Sequence, residues 1–349
     1  MGPITSDSRL DFIRNFSPSW FASVMGTGIL AVTTLYYSPY LPALRDVAIF
    51  FFYLNLALFS ILLIPWVLRW VMFRQNALFD LNHPITSSFY ATIAIALLVL
   101  AVDFIVIGKN TVAGEVFWLF GVILTVFFAT LIPFIMFKSE GIKVEHVNPG
   151  WFIPPVGLIV IPIAGSLIID KFTGLTQEVI IFINYFGWGA GFFLYLALLA
   201  ICFYRFILHT PLPGTLTPTL WINLGPIGAG IVALVNIVKE SPFITVKEPL
   251  FVFAFLFWGF GIWWVIMAMV MLLHYLRRMN LPFALSWWAF TFPLGAYIAA
   301  THAIASIFNL VLVNYIGFAL YWLLVIFWAV TLVRTVVHSY RGTIFRSQS

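Results

Sequence analysis

Two side chains able to exchange a proton lie well inside the apolar stretches of this 349-residue chain, Asp103 and His302. A carboxylate or imidazole at such a place is costly to charge, and proton-driven carriers keep these groups for coupling. They are therefore the candidate proton sites. Asp103 sits close to the end of its stretch, and His302 is a lone imidazole among apolar neighbours, where a hydrogen-bonded structural role is the commoner one. Other chemistry is scarce. One cysteine, Cys202, excludes an intrachain disulfide and any cysteine-built metal cluster. His83, His146, His209, His274 and His338 gather at one set of stretch ends, so no pair is available as axial haem ligands. No enzyme, catalytic residue, metal or cofactor is expected.

The elements that hold these residues are set by composition. With 63% hydrophobic and 8% charged residues and a mean hydropathy of +1.07, the chain is built for a bilayer. The apolar runs predict ten spans, near 18–37, 46–72, 84–108, 113–138, 150–169, 177–208, 215–237, 248–277, 284–309 and 314–337. The first span lacks a small-residue cleavage site and is expected to stay. Basic residues mark the cytoplasmic side. Arg9, Arg14, Arg69, Arg74, Lys138, Lys143, Arg205, Arg277, Arg278, Arg334, Arg341 and Arg346 lie where the odd spans begin; Arg45, Lys109, Lys171, Lys239 and Lys247 lie opposite. Both termini are therefore expected in the cytoplasm, in the plasma membrane of the cell. The net charge of +5 follows this topology and does not call for nucleic acid.

The spans repeat in pairs. Ser17-Pro18, His83-Pro84, Asn148-Pro149, Thr217-Pro218 and Leu281-Pro282 each open a long apolar stretch, at intervals of 64 to 69 residues, room for two crossings of ~20 residues each. The repeats run roughly 14–72, 82–138, 148–208, 215–278 and 282–338 of a single transmembrane domain, 1–349. The expected fold is thus all-α and integral to the membrane, with ten transmembrane helices as five hairpins in a quasi-five-fold arrangement around a central pore. Even spans carry Phe, Leu, Ile and Trp and suit an outer position; odd spans carry Gly, Pro, Ser and Thr and suit an inner one. Small residues are also ordinary packing surfaces, but they recur in all five odd spans. Proline inside a helix frees a carbonyl that a water-filled path can satisfy. Odd helices that start at the cytoplasm aim their positive dipole ends at entering solutes, which favours anions. Arg74, before the third span, and Arg277 and Arg278, before the ninth, add a basic vestibule.

Four runs carry a family resemblance: Phe16 to Leu30 (FSPSWFASVMGTGIL), Trp151 to Gly157 (WFIPPVG), Leu224 to Gly230 (LGPIGAG) and Trp287 to Gly295 (WWAFTFPLG). Over residues 14 to 338 the chain resembles the tellurite-resistance/dicarboxylate transporter family, which takes in bacterial TehA, plant slow anion channels, the fungal malate permease and the sulfite efflux pump. That resemblance implies five hairpins around a pore, odd helices inside, in a homotrimer with one pore per protomer. It also implies a phenylalanine gate on the ninth helix beside a proline. Phe292, before Pro293, matches that place, with Phe290 as the fallback. Gly26 and Gly28 match the glycines that face the gate, and Phe89 and Tyr90 an aromatic pair on the third helix. Thr27, Gly157, Gly225, Gly228, Thr291 and Pro293 complete the expected pore lining. An apolar ring in a narrow pore blocks hydrated ions by dewetting and by bulk.

Two modes of transport follow. The first is passive flux of small anions, namely malate or another C4-dicarboxylate, sulfite, chloride or nitrate. The alternative is a proton-coupled carrier of C4-dicarboxylate (malic acid) or sulfite that uses His302 or Asp103.

Overall fold

The computed structural model describes residues 6–278 and 281–345. Arg346, counted above among the basic residues, lies outside them. Among the described residues ten helices are long and apolar enough to cross a membrane: Pro18–Tyr36, Leu44–Met72, Ser87–Val106, Thr111–Phe137, Pro149–Lys171, Leu175–Leu208, Thr217–Glu240, Glu248–Arg278, Leu285–Phe308 and Val311–Tyr340. They are numbered here as the first to tenth spans. No strand occurs among the described residues. The chain is a multi-pass membrane protein.

Odd and even spans separate by burial. Odd spans are 78–94% buried over their apolar windows, and each even span 28%. Even spans present Phe50, Ile61, Phe120, Phe193, Ile266 and Val333 outward, a surface that lipid covers at no cost. Each odd span packs on the even span that follows it, giving five hairpins. The first span also packs on the third, the third on the fifth, the fifth on the seventh, the seventh on the ninth, and the ninth on the first.

The repeated prolines set how odd spans begin. All five open with a 3-10 turn, at Pro18–Trp20, Ser87–Ala91, Pro149–Phe152, Thr217–Asn223 and Leu285–Phe290, before widening into α-helix. At Pro18, Pro149 and Pro218 proline sits in the first positions of the turn, where it presets the backbone angle and lacks only an N–H that a helix start leaves unpaired anyway; Pro84 and Pro282 lie three residues before theirs. The residue before it adds a cap in three repeats. Ser17 Oγ accepts from the Ser19 N–H at 3.2 Å, His83 Nδ1 from Ile85 at 3.2 Å and Asn148 Oδ1 from Gly150 at 2.8 Å.

Side chains of the even spans then tie each hairpin to the next. Asn55 Nδ2 donates to Asp103 Oδ2 (2.9 Å), Trp118 Nε1 to the Ile161 carbonyl (3.0 Å), Trp188 Nε1 to the Gly230 carbonyl (2.9 Å), Trp258 Nε1 to Thr301 Oγ1 (2.9 Å) and Trp328 Nε1 to Thr27 Oγ1 (3.0 Å). Thus the second span bonds the third, the fourth the fifth, the sixth the seventh, the eighth the ninth and the tenth the first. An indole N–H inside a bilayer finds its acceptor only in protein, as these four do. At the side where odd spans begin, the buried Arg69 guanidinium pairs with Asp80 and donates to the Arg14 and Phe16 carbonyls, both at 2.9 Å. This fixes the entry to the first span.

Candidate functional site

Each odd span turns one stripe of residues toward a common axis. The stripes are Ala22, Met25, Ile29, Val32 on the first span; Thr92, Ile95, Val99, Val102 on the third; Ile153, Val156, Val160, Ile163 on the fifth; Ile222, Gly225, Ala229, Val232 on the seventh; and Ala289, Phe292, Ala296, Ala299 on the ninth. Every stripe advances by three, four and three residues, the spacing of one helix face. These residues line two cavities of about 40 Å³ each. That is room for a few waters. The first two residues of each stripe belong to the cavity nearer the span starts, with Phe89 and Pro293 among its other walls. The last two belong to the cavity nearer the span ends, with Tyr36. Among the described residues Phe292 alone lines both.

Phe292 is the second member of its stripe, so it shares a layer with Met25, Ile95, Val156 and Gly225. Glycine at 225 leaves that layer open: a methyl there would meet only Val156 and Pro293, at 3.7 Å and beyond. The Phe292 ring thus lies between the two cavities. No charged side chain among the described residues lines either cavity. The hydroxyls that line the cavity nearer the span starts are committed. Thr92 donates to the Pro18 and Phe89 carbonyls at 2.8 and 2.6 Å, and Ser286 to the Thr215 carbonyl at 2.5 Å.

Of the expected pore residues, Phe292, Phe89, Gly225 and Pro293 reach the axis; the others do not. Phe290 turns the other way and packs among Trp221, Trp287 and Phe327. Tyr90, fully buried, sits against Trp66 and Trp70 and donates to the Ala77 carbonyl at 2.6 Å. Gly26 and Gly28 face neighbouring spans instead of Phe292. A methyl on Gly26 would overlap Thr291 Oγ1, and one on Gly28 would crowd Val99, Asn55 and Asp103. Thr27 accepts the Trp328 bond, and Thr291 donates to the Trp288 carbonyl at 2.7 Å. Gly157 abuts Thr125, and Gly228 fits under the Ala296–Tyr297 backbone of the ninth span. These small residues are where helices touch.

The ionisable candidates also lie off the axis. Asp103 is fully buried behind Val99 and Val102, bonded to Asn55, with Oδ1 unpartnered. His302 lies toward the end of the ninth span and stacks on Tyr36 with centroids 4.7 Å apart; its Nδ1 is buried and unpartnered. It lines a separate outer pocket with Tyr40, Asn309 and Asn314. Arg74, Arg277 and Arg278 are exposed and line neither cavity. Met25, Ile29, Ile95 and Val156 were missed by a search for small and polar residues. The shared three-four-three spacing is the signal that finds them.

The family model described as SLAC1, voltage-dependent anion channel, matches residues 15–336. The chain is 62% identical over 340 residues to "Uncharacterized transporter MJ0576" of Methanocaldococcus jannaschii, covering 97% of this chain and 98% of that one. It is 26% identical to "Sulfite efflux pump SSU1" of Arthroderma benhamiae, over 96% of this chain and 93% of the other. "Malic acid transport protein" of Schizosaccharomyces pombe is 25% identical, over 85% and 72%.

Proposed function

We propose, because the chain belongs to the SLAC1 family of voltage-dependent anion channels, that it passes small anions down their gradient along the axis between its odd spans, and that the Phe292 ring closes this path. The observation that carries the proposal is that, among the described residues, Phe292 alone lines both axial cavities. An apolar ring between two narrow apolar chambers holds no water chain, and an ion cannot shed its hydration there. Turning the ring aside would join the chambers. The layer opened would be Met25, Ile95, Val156 and Gly225, which offers no fixed charge to trap an ion.

Preference for anions would then come from the backbone. Five odd helices begin on one side, where the positive dipole ends of helix starts would favour an anion. The excess of basic residues on that side supports an orientation with it, and both termini, facing the cytoplasm, and the membrane we infer is the plasma membrane. The arrangement we infer is five hairpins in a quasi-five-fold ring about each protomer's own pore, with three protomers meeting through the apolar even spans. Malate or another C4-dicarboxylate and sulfite enter as substrates through the relatives so named; chloride and nitrate share the required charge.

A proton-coupled carrier is the second reading, and the stacking of His302 on Tyr36, a wall of the outer cavity, is what favours it. The deciding experiment is the reversal potential of purified protein in a planar bilayer under a malate against chloride gradient. Strong conduction by Phe292→Ala, with little by the unaltered chain, supports the gated pore. If neither conducts and a pH gradient drives malate or sulfite into liposomes, the protein is a coupled carrier.

A further inference from the structure

Arg69 and Arg205 hold equivalent places, in the last turns of the second and sixth spans, and both are 2% exposed. Their surroundings differ. Arg69 has the Asp80 carboxylate beside it. Arg205 donates from Nη1 to the Thr210 carbonyl at 2.7 Å, but its Nε is buried without an acceptor, and no carboxylate pairs with it among the described residues. A guanidinium stays charged at any physiological pH, and a buried charge without a counter-charge is strongly disfavoured.

Arg205 also forms part of the wall of a pocket of about 310 Å³ between the sixth and eighth spans. The rest of that wall is mostly apolar, from Phe203, Trp264, Met267 and Met271. It opens outward past Trp263, 42% exposed, and Ile207, 73% exposed, on the outward faces of these two even spans. The cation lies at the end of the sixth span that the basic residues mark as cytoplasmic. An apolar slot with one buried, uncompensated cation at its membrane edge matches an amphiphile with an anionic head. We propose that this pocket binds one anionic phospholipid per protomer, its phosphate against Arg205 and an acyl chain along Phe203 and Met267. The slot lies outside the odd-span axis, so this inference stands apart from the reading of Phe292.

Native mass spectrometry of the delipidated full-length protein, titrated with phosphatidylglycerol or phosphatidylcholine, tests it. The expected result is one phosphatidylglycerol held per protomer, in preference to phosphatidylcholine. Arg205→Gln should weaken that binding at least about tenfold, as loss of one member of a buried charge pair does. Met267→Trp fills the slot without touching the cation and should do the same, so it decides the matter if Arg205→Gln fails to fold. Equal retention of the two lipids, or unchanged retention by both variants, overturns the proposal. Displacement by millimolar inorganic phosphate overturns it in favour of a free-anion site. A disulfide formed between copies carrying Trp263→Cys overturns it in favour of a second protomer seated on the slot.

Discussion

Trp328 in the tenth span donates its indole N–H to Thr27 in the first, at 3.0 Å and across 301 positions of chain. It is the last of five such bonds from an even span to the next odd one, and the bond that brings the end of the chain back to its beginning. Thr27→Val keeps the shape and removes the acceptor, leaving a buried N–H unpaired. The expected loss is about 1–3 kcal/mol of stability. Thr27→Val with Trp328→Phe removes both partners and should be less destabilised than Thr27→Val alone. Thermal unfolding in detergent, followed by size-exclusion fluorescence, reads both.

Phe290 and Phe292 sit two residues apart and serve opposite directions of the same span. Phe290 is buried among Trp221, Trp287 and Phe327, so Phe290→Ala should cost stability, about 3–5 kcal/mol, through the cavity it leaves. It should not raise anion conductance. Phe292→Ala removes a ring that already borders two cavities, so it should raise conductance with a smaller loss of stability. Paired bilayer recordings and melting curves on the two variants separate gate from packing.

Asp103 accepts from Asn55 behind Val99 and Val102, away from both cavities. Asp103→Asn should therefore leave anion flux into liposomes unchanged, with or without a pH gradient. Loss of gradient-driven uptake in this variant would instead make Asp103 the coupling group. Asp103→Leu leaves the buried Asn55 amide without its acceptor and should destabilise the protein by about 1–3 kcal/mol, with no effect on flux beyond the lost protein.

The ten spans were legible because they follow from composition, which is local in the sequence. Pro18, Pro84, Pro149, Pro218 and Pro282 mark the five hairpins, and the odd starts lie within a few residues of them. The axis was harder to read. Gly26, Gly28, Gly157 and Gly228 have the residue type a pore wall would use, but a glycine is equally what lets two helix backbones meet, and type alone cannot choose between the two. Helix phase can. Gly26 and Gly28 flank the Met25 and Ile29 stripe on either side, toward the ninth and third spans respectively. The partner of each buried polar group was equally hidden, since Trp328 and Thr27 are nearly a chain length apart.

Gly26 and Thr291 offer the most direct link between helix packing and the path. A methyl at Gly26 would overlap Thr291 Oγ1, and Thr291 immediately precedes Phe292. Gly26→Ala must therefore push the first and ninth spans apart at the level of Phe292. Overpacking of this kind costs about 1–3 kcal/mol, and the shift should also loosen Phe292 and raise the basal conductance. Thr291→Ala removes the nearer overlapping atom, Oγ1, and keeps only Cβ at 2.9 Å, so the double variant Gly26→Ala with Thr291→Ala should recover part of both the stability and the tight closure. Such non-additivity is the signature of residues in contact. If the two effects simply add in melting curves and in bilayer conductance, the two spans are not held together through this contact.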